Sequence, residues 1–428
     1  MSSQLIGFLC VGGMLGLIAL RMPIAMAMAV TGFTGFGLIV AFDPAMSILE
    51  SSALNTLSNY SFSPIPMFIL MGVLASKARM SAELFDGART LFGSWRGGMA
   101  LAAIMSSGVF SAISGSSLAT AASMSKVALP EMKKQGYADS LATGTIAAGG
   151  TLGIMIPPSI ALLLYALLTE QSVGDMFIAG IIPGLLGMVL YMAAVAAVVK
   201  LRPDLATPGV ATTFVEKIVG LKGLVPFGLI FALIIGGIYG GIFTPTEAAS
   251  VGAFGALIIA VVRGLRWRGF VDAVRETLVV SAMIFFMVMG AEIFGYFLSV
   301  SRVSFALVEF VNALDLTPFM ILMAILLLYI LLGMVMDSIA MLLLTVPVVF
   351  PLAMQAGFDP IWFGILTVIT VELGLITPPI GMNVFVIKSV APNVKITDIF
   401  KGVIPFVVSD VVRLALLIAF PVLALALL

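Results

Sequence analysis

The sequence predicts an all-α polytopic membrane protein built as an inverted-topology repeat. Three observations carry this. The chain is 61% hydrophobic and 10% charged, with a mean hydropathy of +1.22, where a soluble chain would carry about a quarter charged residues. It overlays itself after a shift of 221 residues, so that Gly153 falls on Gly374, Pro157-Pro158 on Pro378-Pro379, Pro130 on Pro351, Gly136 on Gly357 and Ser117 on Ser338. Lysine and arginine gather in alternate connecting segments, as they do on the cytoplasmic side of membrane proteins.

Taken in order, the first half reads as five spans and one re-entrant hairpin. Spans are expected over 4–20, 24–42 and 64–76, with a polar amphipathic stretch over 43–63. The N-terminal segment lacks a basic start and reads as a retained span, not a cleaved signal. Residues 77–97 form a basic amphipathic stretch suited to the membrane interface. Two apolar arms follow, 98–113 and 118–132, around the tip SGSS. Arms of about 15 residues give about 23 Å of helix, short of a hydrocarbon core of about 30 Å, which predicts a hairpin. A long span over 140–170 is broken at Pro157-Pro158, because proline removes a ladder N–H and clashes with the preceding turn. The last span covers 176–199. The register drifts by a few residues toward the ends, where Pro23 meets Pro245, Gly72 meets Gly290, Asp175 meets Asp398 and Pro183 meets Pro405.

Five crossings is an odd number, so the second half enters the membrane upside down. With the N-terminus outside, Arg21, Lys77, Arg79, Arg89, Arg96, Lys133 and Lys134 all fall in the cytoplasm. So do the joining loop, 200–222, and Arg263, Arg266, Arg268, Arg275, Lys388, Lys395 and Lys401. Only Arg302 is left outside, so both termini are expected in the periplasm. Lys126 and Arg413 lie within apolar segments and are not counted.

An inverted repeat with discontinuous helices points to a secondary transporter with its site at the bilayer midplane. Backbone is unwound at that depth only where protein buries it or where it lines a cavity. Freed carbonyls and hydroxyls suit sodium, and the absence of histidine removes the commonest transition-metal ligand. The candidate first ion site joins Ser114, Ser116 and Ser117 at one tip to Gly149, Gly150, Thr151 and Gly153. The second joins Asp337 and Ser338 to Glu372, Gly374 and Thr377. An acid at bilayer depth is costly and usually functional, which singles out Asp337, the counterpart of Ser116. The helix N-termini at the breaks favour an anion, so the substrate is expected near Ser116, Pro157, Pro158, Pro378 and Pro379, with Arg302 as a candidate carboxylate partner. Asp410 and Arg413, three apart on one helical face, are expected to pair. Glu247 and Glu292 read as structural hydrogen-bond partners.

The motifs GSSLAT, GIMIPPSI and the second-half DS…TPPIGMN resemble the large membrane subunit of tripartite ATP-independent periplasmic (TRAP) transporters, over essentially the whole chain. The resemblance implies an elevator mechanism, sodium as the coupling ion and a bacterial inner-membrane location; the two repeat-related sites suggest two or more sodium ions. It also implies a small four-span membrane partner, a periplasmic substrate-binding protein, and an organic acid anion of the C4-dicarboxylate or sialic acid class. No small-subunit segment precedes the first span, so that partner is expected as a separate polypeptide. On this resemblance 1–76 and 223–296 form a stator, 77–97 and 297–316 are arms, and 98–199 and 317–428 form a moving transport domain. A monoanion carried with two sodium ions moves one net charge inward, worth about 2.3 kcal/mol per 100 mV.

Other classes fit less well. A stand-alone carboxylate transporter coupled to protons or sodium shares most of these features. An intramembrane serine protease lacks a histidine base, and Asp337 with Glu372 is a poor aspartyl pair, so no enzymatic activity is expected. The pattern GxxxxGK[ST] is absent, which argues against an ATP-driven pump. Cys10 is the only cysteine, so no intrachain disulfide forms. Nothing in the charge pattern suggests a nucleic-acid partner.

Overall fold

The computed structural model describes residues 2–209 and 213–428. Among them every regular element is a helix. The first half runs α1 (Ser3–Ala19), α2 (Ile24–Ile39), α3 (Phe42–Ser58), α4 (Pro64–Lys77) and α5 (Met80–Phe92). It continues with the hairpin α6 (Gly98–Ser114) and α7 (Ser117–Lys134), the broken pair α8 (Asp139–Met155) and α9 (Ile160–Leu168), and α10 (Val173–Leu201). A short α11 (Phe214–Leu221) leads to the second half, α12 (Val225–Tyr239), α13 (Pro245–Val262), α14 (Trp267–Ser301) and α15 (Val303–Ala313). The hairpin α16 (Pro318–Gly333) and α17 (Ser338–Gln355) follows, then α18 (Pro360–Ile376), α19 (Met382–Val390), α20 (Ile396–Ala419) and α21 (Val422–Leu425). The helix order of the second half thus repeats that of the first, with Ser117 opening α7 and Ser338 opening α17.

The protein is an all-α polytopic membrane protein. Among the described residues five helices are singly long and apolar enough to cross a bilayer, namely α10, α13, α14, α17 and α20. Three bent pairs pass the same test together, among them α8 with α9, which meet at 40° across the Pro-Pro break. The two central helices are buried along nearly their whole length, α8 from Leu141 to Met155 and α18 from Trp362 to Ile376. Small residues let the backbones touch, as membrane packing favours. A Cβ on Gly144 would lie 2.2 Å from the Gly402 carbonyl carbon, where α8 crosses α20. A Cβ on Gly290 would lie 2.5 Å from the Ala25 carbonyl oxygen, where α14 crosses α2.

Four boundaries differ from the sequence expectation. The stretch 43–63 is helical through Ser58 and meets α4 at a 56° bend. Its counterpart in the second half is the unbroken α14, because the kink needs the prolines at 64 and 66 and α14 has none. The hairpin arms are 17 and 18 residues in the first half and 16 and 18 in the second, longer than the expected 15. Residues 297–301, expected in the second arm, belong to α14, which stops where Arg302 turns left-handed (φ 58). The joining loop is partly ordered, with α11 packed against α5 so closely that a Cβ on Gly220 would strike the Thr90 side chain. Residues 210–212 of that loop lie outside the described residues.

The structural roles expected of two acids are visible. Glu292 accepts a hydrogen bond from Thr56 at 3.1 Å. Glu247 closes a capping box with Thr244 at the start of α13.

Candidate functional site

Each hairpin tip is built by a helix stop followed at once by a helix start. α6 stops because Gly115 takes a left-handed conformation (φ 58), which costs glycine nothing. Ser116 then caps α7, accepting from the Ala119 N–H at 3.4 Å. Ser114 and Thr120 share a hydroxyl contact of 2.6 Å across the tip. In the second half the cap is Asp337, whose Oδ1 accepts from the Ile339 and Ala340 N–H groups at 3.0 and 3.2 Å. Both bonds use one carboxylate oxygen, so Oδ2 takes no part in the cap.

Each tip meets the break of its own half. A Cβ on Gly153 would lie 2.8 Å from the Ser116 carbonyl oxygen and 3.1 Å from the Ser117 nitrogen, so only glycine lets the tip lie there. A Cβ on Gly115 would lie 3.2 Å from the Pro158 carbonyl oxygen. In the second half the Gly381 N–H donates to the Met334 carbonyl at 3.3 Å, and Gly374 packs against Gly333. The bonds Pro157-Pro158 and Pro378-Pro379 are both cis. Ser159 closes the first break, donating to the Ile154 carbonyl and accepting from the Leu162 N–H. Thr377 donates to the Leu373 carbonyl at 2.6 Å. The first tip thus abuts the middle of the α8–α9 pair.

The two tips converge on one cavity of about 570 Å3. Ser114, Ser116 and Ser117 line it from one side, and Asp337 and Ser338 from the other. The helix ends flanking both breaks contribute Ile154, Ile160, Leu375 and Met382. Its wall also includes Ser76, Lys126 and Glu276, the last paired with Lys77 at 3.3 Å. A second cavity of about 950 Å3, among α3, α14, α15, α17 and the end of α9, includes no tip residue.

Several sequence candidates stand elsewhere. Gly149 and Gly150 do not line the tip cavity; they admit Ser107 and Ala121 of the hairpin arms against α8, which is close helix packing. Arg302 is exposed, ends α14 and lines neither large cavity. Pro157 and Pro158 are buried, whereas Pro378 and Pro379 are exposed, and none of the four lines the tip cavity. Thr151 and Glu372 turn away from the tips into a fully buried cluster. Thr151 Oγ1 lies 3.0 Å from the Tyr191 hydroxyl, which donates to Asp410 Oδ2 at 2.5 Å. Arg413 Nη1 donates to Asp410 Oδ1 at 3.5 Å and to Glu372 Oε2 at 3.4 Å, while its Nε donates to the Pro183 carbonyl at 3.0 Å. The Asp410–Arg413 pair therefore forms, and it recruits Glu372 and Tyr191.

One residue at the site escaped the sequence reading, and a second was noted there without a role. Asn383 at the start of α19 takes a hydrogen bond from Ser117 at 3.0 Å and donates to the Ala147 carbonyl at 3.2 Å. It carries the second half into the first tip. Its only sequence signal was its place in the motif TPPIGMN. Lys126 projects into the tip cavity from an apolar arm, where a hydropathy reading sees only an interruption.

Comparison with known proteins adds an independent line. The family described as "Tripartite ATP-independent periplasmic transporter, DctM component" matches residues 11–423. A C4-dicarboxylate TRAP transporter large permease of Pseudomonas aeruginosa is 34% identical over 399 residues, covering 92% of this chain and 93% of that protein. A sialic acid TRAP transporter large permease of Vibrio cholerae is 32% identical over 411 residues, covering 96% and 95%. The crystal structure of the YdaH transporter of Alcanivorax borkumensis superposes with a TM-score of 0.66 at 14% identity, covering 88% of this chain and 90% of that one. At that identity the likeness speaks for the fold alone.

Proposed function

This chain belongs to the DctM-component family of tripartite ATP-independent periplasmic transporters, and from that premise we propose that it imports an organic acid anion driven by sodium. The substrate is of the C4-dicarboxylate or sialic acid class, as the relatives' names suggest. A periplasmic binding protein delivers it, and a small four-span subunit completes the membrane complex in the bacterial inner membrane. The single observation that carries this reading is the convergence of both hairpin tips on one cavity. Serine hydroxyls on one side and the Asp337 carboxylate on the other supply hard oxygen donors of the kind sodium takes. The N-termini of α7 and α17 point at the same space, where their amide groups and dipoles favour an anion.

The cavity lies between proposed stator and transport segments. α4 and α14 form one wall with Ile69, Gly72, Glu276 and Met287, and the hairpins form the other. Ser76, Lys126 and Glu276 line the cavity toward the end that the lysine and arginine distribution assigns to the cytoplasm. A Cβ on Gly72 would lie 2.9 Å from Ser114 Cα, so the first tip rests directly on the stator. Its counterpart Gly290 instead contacts Ala25, within the stator itself. A repeat whose two halves make different contacts across this boundary is the asymmetry an elevator needs in one end state.

Reconstituted with its two partners, the transporter is expected to take up labelled dicarboxylate or sialic acid only under an inward sodium gradient. Uptake that persists unchanged without sodium but follows a proton gradient would favour the proton-coupled alternative. Reporter fusions give a separate check on orientation. A C-terminal alkaline phosphatase, active only in the periplasm, is expected to be active, and a C-terminal fusion fluorescent only in the cytoplasm is expected to be dark. The reverse pattern would overturn the assigned topology.

A further inference from the structure

The buried cluster Thr151, Tyr191, Asp410, Arg413 and Glu372 lies outside the tip cavity, and all five residues are fully buried. Thr151 and Glu372 are counterparts in the repeat, each four residues before the last residue of its broken helix, α8 or α18. Two separate halves have thus sent equivalent positions to one polar centre. The centre is continuous, running from Thr151 through Tyr191 and Asp410 to Arg413 and on to Glu372 with no exposed member. Arg413 has been given room for this, since a Cβ on Gly187 would lie 2.7 Å from its guanidinium carbon. Glu372 Oε1 and Arg413 Nη2 remain without partners, so the cluster is not a fully satisfied packing device.

We propose that this cluster is a positioning hub that couples the two helix breaks, so that ordering one break favours ordering of the other. The inference rests on the reading that the breaks border the sites of the coupling ions. A cation that orders the Gly153 side fixes the end of α8, and through Thr151 and Tyr191 it fixes the Asp410–Arg413 pair. Arg413 then holds Glu372 and the end of α18. The cation bound second meets a break already ordered, which is positive cooperativity through shared ordering. Tyr191, Asp410 and Arg413 touch neither tip; they act through α8 and α18.

The experiment uses the full chain assembled with its membrane partner in lipid nanodiscs, and reads hydrogen–deuterium exchange at both breaks. Thr151→Val removes the hydroxyl on the α8 side alone, and Thr151→Ser restores it. The expected result is that Thr151→Val raises exchange several-fold in 149–156 and also in 370–377, with Thr151→Ser close to the parent. A change confined to 149–156 would overturn the proposal. Tyr191→Phe, which leaves the aromatic packing intact, supplies a functional readout where sodium drives uptake. The Hill coefficient for sodium is expected to fall toward 1, with the maximal rate at saturating sodium within about twofold of the parent. A reduced rate with an unchanged Hill coefficient would mean a merely structural role. If the parent shows no sodium dependence, the sodium reading fails, and the exchange result alone decides the coupling of the breaks.

Discussion

Replacing Asp337 with asparagine is expected to abolish sodium-driven uptake while leaving the fold in place. The side chain has two separable jobs. As the cap of α17 it holds two backbone N–H groups with Oδ1, and asparagine caps a helix about as well as aspartate. As the proposed cation ligand it would offer the Oδ2 oxygen and a negative charge to the cavity that Ser114, Ser116 and Ser117 also line, and asparagine brings no charge. Losing charge attraction of about 3 kcal/mol at such a site weakens sodium binding about a hundredfold. Asp337→Ala removes the cap as well, at a further cost of about 1 kcal/mol in stability. The expected order is therefore parent, then Asp337→Asn and Asp337→Ala both inactive, with only the alanine variant losing thermal stability. Sodium-dependent thermal shift and vesicle uptake on the purified variants decide the matter. Normal uptake by Asp337→Asn would reduce this aspartate to a helix cap and would remove the main support for the second ion site.

The fold was legible from the sequence because bilayer physics leaves few choices. Apolar runs of fixed length, prolines that break them and lysines that stay on one side define spans almost without tertiary information. The hairpin tips were legible for the same reason, since Ser114–Ser117 and Asp337-Ser338 each divide an apolar stretch into two arms of similar length. What the sequence hid was lateral. Thr151 and Glu372 lie along the helix one turn before the break, and periodicity cannot tell whether a side chain there faces the tip or the next helix. The structure turns both toward α10 and α20. Asn383 bonds across 266 residues to Ser117, a contact no local pattern encodes. Charge counting singled out Arg302 without placing it; it stands exposed at the left-handed end of α14, away from both large cavities. The continuity of α14 was legible in principle, since the first half kinks at Pro64 and Pro66 and the second half has no proline there.

Gly153→Val is expected to stop transport, and Gly374→Ala is expected to impair it as well, since the two glycines are repeat counterparts that both abut backbone. At Gly153 the added Cβ alone lies 2.8 and 2.9 Å from the Ser116 carbonyl group, and valine adds two methyls beyond it. Backbone is in the way, so the hairpin tip must retreat. It has nowhere to go, because Gly72 of α4 presses on its other side at Ser114. Overpacking of this kind costs about 1–3 kcal/mol, and a displaced tip disturbs the Ser117–Asn383 hydrogen bond. At Gly374 the added Cβ would lie 2.6 Å from Gly333 Cα and 2.8 Å from its carbonyl carbon, so backbone is in the way there too. Gly333 ends α16, and the chain runs from it directly into the second tip, so the arm must move to admit the methyl. The expected readings are uptake below about one tenth of the parent for Gly153→Val, and a several-fold loss for Gly374→Ala, at matched expression. Gly72→Ala separates geometry from mechanism. It crowds the tip only while the tip rests on α4, so it should raise the accessibility of a cysteine placed at Ser338 from the periplasmic side. If Gly153→Val transports normally, the first tip is not held against its break, and the pairing of tip with break that underlies both proposed ion sites fails with it.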